Sequence, residues 1–297
     1  MLRFFAKAAL ALLPLSAMAQ EAVLNSPLWA NRTYFNSAYV GYQEGEAQTN
    51  AFLTSKKLWL GIQGSPIVVG FSADHRANEK NAVGIQVWQH RYATLSYSSL
   101  SIPYAFNARF DDEQGVLLGL ASTLTATSID LSKITTPELL DIPPQIPTVV
   151  FMDASFGAAY YFKDVFRMGV FANNFMFNTK ADPDKIINYT NYSLATLGAD
   201  VGYYIQGQNP NDLKIYFDAY VKGNSITPWI GEASARVGKF GAFVGLGYRT
   251  NKDLNILVQI GHNQAMEIGY FYTHSYSDIQ KYSDGSHQLF LKYNLVN

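Results

Sequence analysis

From about residue 50 onward the sequence runs in segments of roughly ten residues whose side chains alternate between apolar and polar, and this period of two leaves few folds open. In Leu213-Lys214-Ile215-Tyr216-Phe217-Asp218-Ala219-Tyr220-Val221-Lys222, every odd position is apolar and every even one is polar or Tyr. Between Leu254 and Gly261 the apolar set is Leu254, Ile256, Val258 and Ile260. Between Phe240 and Tyr248 the even positions are bulky or apolar, and the odd ones are mostly Gly. The closing segment sets Leu289, Leu291, Tyr293 and Leu295 against Gln288, Lys292 and Asn294. Successive side chains of a strand point to opposite faces, so each segment has one apolar face. A length of about ten residues is that of a strand crossing a bilayer at a tilt. A soluble β-sandwich alternates in the same way, so strand number, composition and compartment must decide.

The N-terminus indicates export. Arg3 and Lys7 flank the start of a short apolar stretch from Ala8 to Leu15, and Ala17-Met18-Ala19 supplies the small-x-small pattern of a leader peptidase site. Residues 1–19 therefore read as a signal peptide cleaved after Ala19. Cys is absent, which excludes a lipid-modified thiol anchor, disulfides, thiol catalysis and thiolate metal sites. The chain is rich in Tyr (20), Phe (19) and Gly (22), only 15% charged, and carries a net charge of -1. That balance shows no basic excess for nucleic acid. After the leader no apolar run reaches the ~18 residues of a membrane helix.

Fourteen strands can be laid down, at 51–63, 66–75, 82–91, 95–110, 115–128, 150–162, 165–175, 192–206, 213–222, 228–237, 240–249, 254–262, 266–275 and 286–296. The count is even, as bacterial single-chain barrels require. The three longest connections, near 129–149, 176–191 and 276–285, all fall on the end that is external if the chain enters from the periplasm. The expected fold is an all-β, transmembrane, antiparallel up-and-down barrel of about 14 strands spanning 51–297, preceded by a short periplasmic N-terminal segment. Residues 20–50 are left open between two places, the periplasm and the lumen. In hydrocarbon an unpaired backbone group costs several kcal/mol, so such a sheet must close on itself. Lys214, Asp218, Lys222, Glu267 and Gln288 fall on its inward face.

Catalytic chemistry is not visible. Asp74-His75-Arg76 resembles a charged cluster but sits where a strand meets a polar turn, and reads as a solvated rim. His90, His262, His274 and His287 occur singly, without the spacing of a metal site. Ser286 and His287 are adjacent and so point to opposite faces of a strand. There is no G-x-S-x-G and no phosphate loop. No catalytic, cofactor-binding or metal-binding residue is assigned. Lys56-Lys57 reads as a charged membrane-boundary pair, and Trp59, Trp88, Tyr92, Trp229 and Tyr248 read as interfacial girdles.

The connection from Ser128 to Val149 is Pro-rich and apolar. Leu139, Leu140, Ile142, Pro143, Pro144, Ile146 and Pro147 are the candidate partner-binding residues. Prolines stiffen such a loop and remove backbone donors, and its apolar side chains either meet a partner or fold into the barrel mouth.

Several segments together resemble the PorP/SprF family of type IX secretion outer-membrane proteins of Bacteroidota. Phe35-Asn36-Ser37-Ala38-Tyr39-Val40-Gly41 is similar to the family's N-P-A-Y-x-G element, with Ser37 in the proline's place. Lys57 to Pro66 resembles its W-x-G-x-x-G-x-P stretch. Asp153 to Tyr161, leading into Met168 to Asn174, resembles a paired-strand element, and Gly245-Leu246-Gly247-Tyr248-Arg249 its G-x-x-Y-R. Ile268 to Thr273 followed by Gly285-Ser286-His287-Gln288-Leu289 is similar to I-G-Y-x-Y-D and G-S-H-E-[IL]. Thr273 and Gln288 stand where the family has carboxylates, so a role resting on those acids is not carried over. The resemblance implies a non-enzymatic component of the secretion or gliding machinery, without cofactor, in the outer membrane and its lipid. Its implied partners are periplasmic and outer-membrane secretion components and a secreted surface adhesin or other cargo. From the residues alone an alternative stays open: a channel or transporter for small or hydrophobic solutes.

Overall fold

The computed structural model describes residues 28, 30–42, 48–130, 145–176, 195–207, 212–224, 228–262 and 265–295. The expected leader, its cleavage position at Ala19 and residues 131–144 lie outside them. Fourteen antiparallel strands close into a barrel in which each pairs with its sequence neighbours and β1 pairs with β14. They are β1 Thr49–Lys57, β2 Ile67–Arg76, β3 Asn81–Tyr92, β4 Leu95–Arg109, β5 Gln114–Asp130, β6 Gln145–Phe162 and β7 Phe166–Met176. The circuit continues with β8 Thr196–Gln206, β9 Lys214–Gly223, β10 Ile230–Lys239, β11 Ala242–Arg249, β12 Asp253–His262, β13 Met266–Ser275 and β14 Ser286–Leu295. Among the described residues no helix is long and apolar enough to cross a membrane.

Burial follows the alternation. Leu53, Val69, Val87, Phe217, Val244, Val258, Ile268 and Leu289 are exposed on the outer face, while their neighbours Thr54, Val68, Trp88, Asp218, Gln259 and Gln288 are buried inside. An exposed apolar belt around a buried polar lining inverts the soluble pattern and is what a bilayer demands. The connections after β1, β3, β5, β7, β9, β11 and β13 share one end, which includes all three of the longest. In such barrels short turns face the periplasm and longer loops face outward, which orients the molecule.

β1 stops at Lys57, not at 63. Past it Trp59, Gly61 and Gly64 take positive φ (47°, 95° and 73°), and Leu58 N–H donates to Pro66 O at 2.9 Å to close the turn. β4, β5 and β6 are the longest strands, at 15, 17 and 18 residues. Since about ten residues cross the membrane, this sector stands beyond it at the long-loop end.

Candidate functional site

The lumen is occupied by the chain itself. Residues 30–42 form a strap inside the barrel, built on two side-chain caps. Asn31 accepts from Tyr34 N–H at 3.3 Å and starts a single helical turn, α1 (Arg32–Phe35). Asn36 accepts from Ala38 N–H at 2.9 Å and starts a 3₁₀ turn over Ser37–Tyr39. Asparagine caps satisfy the orphan donors of a helix start, so two very short turns can persist. Gly41 then takes φ +66°, a conformation a side chain resists, and turns the strap at the periplasmic mouth.

The strap touches opposite walls. On the β2–β3 side, Asn31 Nδ2 donates to Ser72 Oγ at 3.1 Å, Gln86 Nε2 donates to Thr33 O at 3.0 Å, and the Tyr34 ring packs edge-on against Trp88 at 4.5 Å. On the β7–β9 side, Arg32 Nη2 lies 2.6 Å from Asp218 Oδ1 and also bonds the Tyr204 hydroxyl, which itself donates to Asp218 at 2.8 Å. Tyr39 OH donates to Asp200, and Asn173 Nδ2 donates to Phe35 O at 2.8 Å. At the mouth, Arg76 holds Gly41 O through Nε and Nη2 at 3.1 and 2.9 Å, while Asp74 accepts from Gly41 N–H at 3.2 Å. The Arg167 guanidinium lies 4.7 Å from the Tyr42 ring centre and 4.3 Å from that of Tyr204. Charged groups this far from bulk water persist only where partners meet them.

The middle of the strap rests on a glycine floor. Gly119 of β5 and Gly157 of β6 face each other across the ladder. A Cβ at Gly119 would stand 2.1 Å from Ala38 N, and one at Gly157 would stand 1.9 Å from Asn36 Oδ1. Two segments that carried the family resemblance, one around Asn36 and one around Gly157, thus meet in space. Asn36 and Ala38 have no exposed surface, and Tyr39 is 1% exposed.

Nearer the external end a second charged group lines the wall. Arg249 bonds Glu232 Oε2 through Nε and Nη2 at 2.9 and 2.6 Å and approaches Asp253 at 3.5 Å. Asn255 Nδ2 donates to the same Glu232 oxygen at 3.2 Å, and Thr273 Oγ1 donates to Asn255 at 2.8 Å. Gln288 Nε2 donates to Thr54 Oγ1 at 2.8 Å. Thr273 and Gln288 therefore serve as hydrogen-bonding parts of the inner wall.

Several sequence readings need correction. Lys56 is buried in the lumen, at 3% exposure, and only Lys57 reaches the boundary. Trp88 is 2% exposed inside the barrel, and Tyr92 turns inward beside His90 and Tyr97, whereas Trp229 and Tyr248 are exposed. Asp74 and Arg76 are strap contacts, not a solvated rim. The inward face carrying these errors is set by parity, but parity gives neither depth nor partner. Of the candidate loop residues, Leu139, Leu140, Ile142, Pro143 and Pro144 lie outside the described residues. Ile146 and Pro147 fall at the start of β6, and their side chains are not described. Among the described residues no group of His, Asp and Glu is placed to hold a metal ion. The sequence left residues 20–50 open between periplasm and lumen and named none of the strap's contacts, although two inward carboxylates on adjacent strands, Asp200 and Asp218, signalled a cation inside.

The barrel resembles solved outer-membrane proteins. The outer membrane protein Omp33 of Acinetobacter baumannii superimposes with a TM-score of 0.52 at 9% identity, covering 85% of this chain and all of the other. A mutant of the monoaromatic hydrocarbon channel TodX gives 0.51 at 8% identity, over 90% and 94% of the two chains. At such identities the likeness is one of fold. No curated protein matches in sequence. A family model described as type IX secretion system membrane protein PorP/SprF matches residues 17–293. The chain is thus a bacterial outer-membrane β-barrel and belongs to the PorP/SprF family of type IX secretion system membrane proteins.

Proposed function

We propose that this barrel is a closed, non-enzymatic platform of the secretion machinery, which supports secretion or surface attachment of cargo and links to periplasmic subunits without conducting solute itself. The observation that carries this reading is the strap, which joins the β2–β3 wall to the β7–β9 wall through buried polar contacts. A transport lumen needs a continuous water path, and strap side chains buried to 0–1% in the middle of the lumen, Asn36, Ala38 and Tyr39, support a closed one. In this reading the leader is removed after Ala19, and residues 30–42 serve as the plug. Reconstituted in planar bilayers, the protein is expected to give no steady conductance steps. Large stable steps from the unmodified protein would favour the channel reading.

The external face belongs to the same proposal. β5 and β6 are the longest strands, at 17 and 18 residues, and Leu139, Leu140, Ile142, Pro143 and Pro144 between them, with Ile146 and Pro147 at the start of β6, are the proposed partner-binding residues. Deleting about Pro137 to Pro144, which stops short of β6 at Gln145, should leave insertion intact, because connections tolerate change better than paired strands. Surface-attached cargo should fall by about tenfold in whole-cell labelling, a loss of ~1.4 kcal/mol in affinity. Undiminished attachment would remove the loop from the account.

A further inference from the structure

Two cations stand near each other on the outer face of the barrel at its external rim, Lys57 of β1 and Arg91 of β3. Strands β14 and β1 to β4 are consecutive around the wall. Of their six cations Lys56, Arg76 and Lys292 point inward, and Arg109 pairs with Glu79 at 3.3 Å at the periplasmic end. That leaves Lys57 and Arg91 on the outer face, and the strands hold one carboxylate. That one, Asp74, points inward at the periplasmic end and is engaged by the strap. The turns 58–66 and 93–94 at the external end contain no acid, whereas the neighbouring turn into β14 carries Asp278 and Asp284 and bonds the first of them through Asp284 N–H to Leu60 O at 2.9 Å.

The register aligns the cations. His287 of β14 pairs with Lys57 of β1, Lys57 with Ile67 of β2, Ile67 with Arg91 of β3, Arg91 with Ser96 of β4, and Ser96 with Ser128 of β5. All six share the outward parity, and both Lys57 and Arg91 are exposed. With strands about 4.8 Å apart, the two cations stand roughly 10 Å from each other. Among the described residues neither makes an ion pair. The Ser96 and Ser128 hydroxyls bond each other at 2.8 Å, and Tyr270 OH meets His287 Nδ1 at 2.5 Å. Two residues towards the midplane the same strands show Leu289, Ser55, Val69, Gln89 and Ser98, and two further on Leu291, Leu53, Phe71, Val87 and Leu100. On β1 and β3 the face thus passes from Leu53 and Val87 through Ser55 and Gln89 to Lys57 and Arg91 within five residues, with the apolar Val69 and Ile67 of β2 between them. Around β8 to β12 the outward positions near the external ends are instead Leu197, Val221, Trp229, Tyr248 and Leu254.

A ligand matching that gradient has acyl chains, sugar hydroxyls and amides, and an anionic phosphate, in that order. We propose that the β14–β4 sector binds a phosphorylated glycolipid of the outer leaflet, with Lys57 and Arg91 holding the phosphate and Gln89, Ser96 and Ser98 facing the sugar. The inference rests on the outer-membrane location and holds whether or not the lumen conducts. A phospholipid offers the phosphate without the sugar, which leaves the hydroxyl and amide row without a partner.

The test uses full-length protein purified in mild detergent, with diphosphoryl lipid A as the probe and bound lipid counted by native mass spectrometry. Dephosphorylated lipid A should bind at least tenfold more weakly. A Lys57→Gln/Arg91→Gln variant should lose roughly 25-fold in affinity for the phosphorylated form, about fivefold for each cation near a membrane surface. Lys252→Gln, which removes another external cation from the β11–β12 turn, should change nothing. Equal binding of the two lipid A forms by unmodified protein would overturn the proposal, and that comparison needs no variant to fold. So would an unaffected double variant that keeps heat-modifiable migration. Phosphatidylglycerol binding as tightly as lipid A would also overturn it, by showing that the sector reads charge alone.

Discussion

Arg32→Ala should open the barrel. The guanidinium is the strap's charged anchor, 2.6 Å from Asp218, and the two side chains are 6% and 2% exposed. Removing one partner of a buried pair leaves the other charge uncompensated, at a cost of about 3–5 kcal/mol. The barrel is held by fourteen interstrand ladders and the strap by a handful of contacts, so the strap should yield first. A penalty of that size lowers the equilibrium constant for docking by roughly two to three and a half orders of magnitude. Conductance steps should appear in planar bilayers where the unmodified protein shows none, with heat-modifiable migration retained. Gly157→Leu should give the same phenotype by a different route, because its Cβ would fall 1.9 Å from Asn36 Oδ1 while the added bulk leaves the β6 backbone bonds in place. If both variants stay electrically silent, the strap is not what closes the lumen.

Val258→Arg should be the most damaging change on the outer wall. Val258 is 47% exposed and paired with Val244 and Tyr270, in the middle of β12. A cation on the lipid face at mid-membrane costs roughly 2–4 kcal/mol, falling to about 0–1 near the interface. Leu254→Arg, one residue from the external end of the same strand, should therefore be nearly neutral. Urea unfolding in phospholipid vesicles separates the two, and equal losses would mean that β12 sits at another depth. Neither result depends on what the barrel does, so this pair tests the architecture alone.

The barrel was legible because its signal repeats. Each alternating segment names two faces, and fourteen of them leave one closed sheet. Boundaries held where turns are short. The β1 end was overrun because Leu58 to Ile62 continues the alternation, while the actual stop depends on positive φ at Trp59, Gly61 and Gly64. Alternation also placed Lys214, Asp218, Lys222, Glu267 and Gln288 on the inner side. What it could not provide was the content of the interior. Trp88 reads as a girdle residue because aromatics suit both an interface and a packed core. Its inward parity matches that of Gln86 and His90, which could have corrected the reading. Asp218 was visible as an inward acid, but its partner lies 186 residues earlier in the chain, outside any periodic segment. Contacts of that span leave no local trace.

The pairing of Thr49 with Leu295 through Lys57 with His287 makes one seam between the first and last strands. Residues 30–42 precede β1, yet they are enclosed by walls built from strands that follow it. Bringing them in after the seam had closed would thread Tyr39, Arg32 and Phe35 into a lumen lined by inward side chains such as Trp88, Phe171 and Tyr220. Curling the sheet around them requires no such passage. Contacts at this sequence separation form late, after the loop entropy has been met. The strap spans the lumen from Ser72 and Gln86 on one side to Asp200 and Asp218 on the other, so its width matches the circumference at which the sheet edges meet. A fourteen-strand circumference is in this sense gauged from within, and a shortened strap would be expected to leave the edges mismatched as well as the lumen empty.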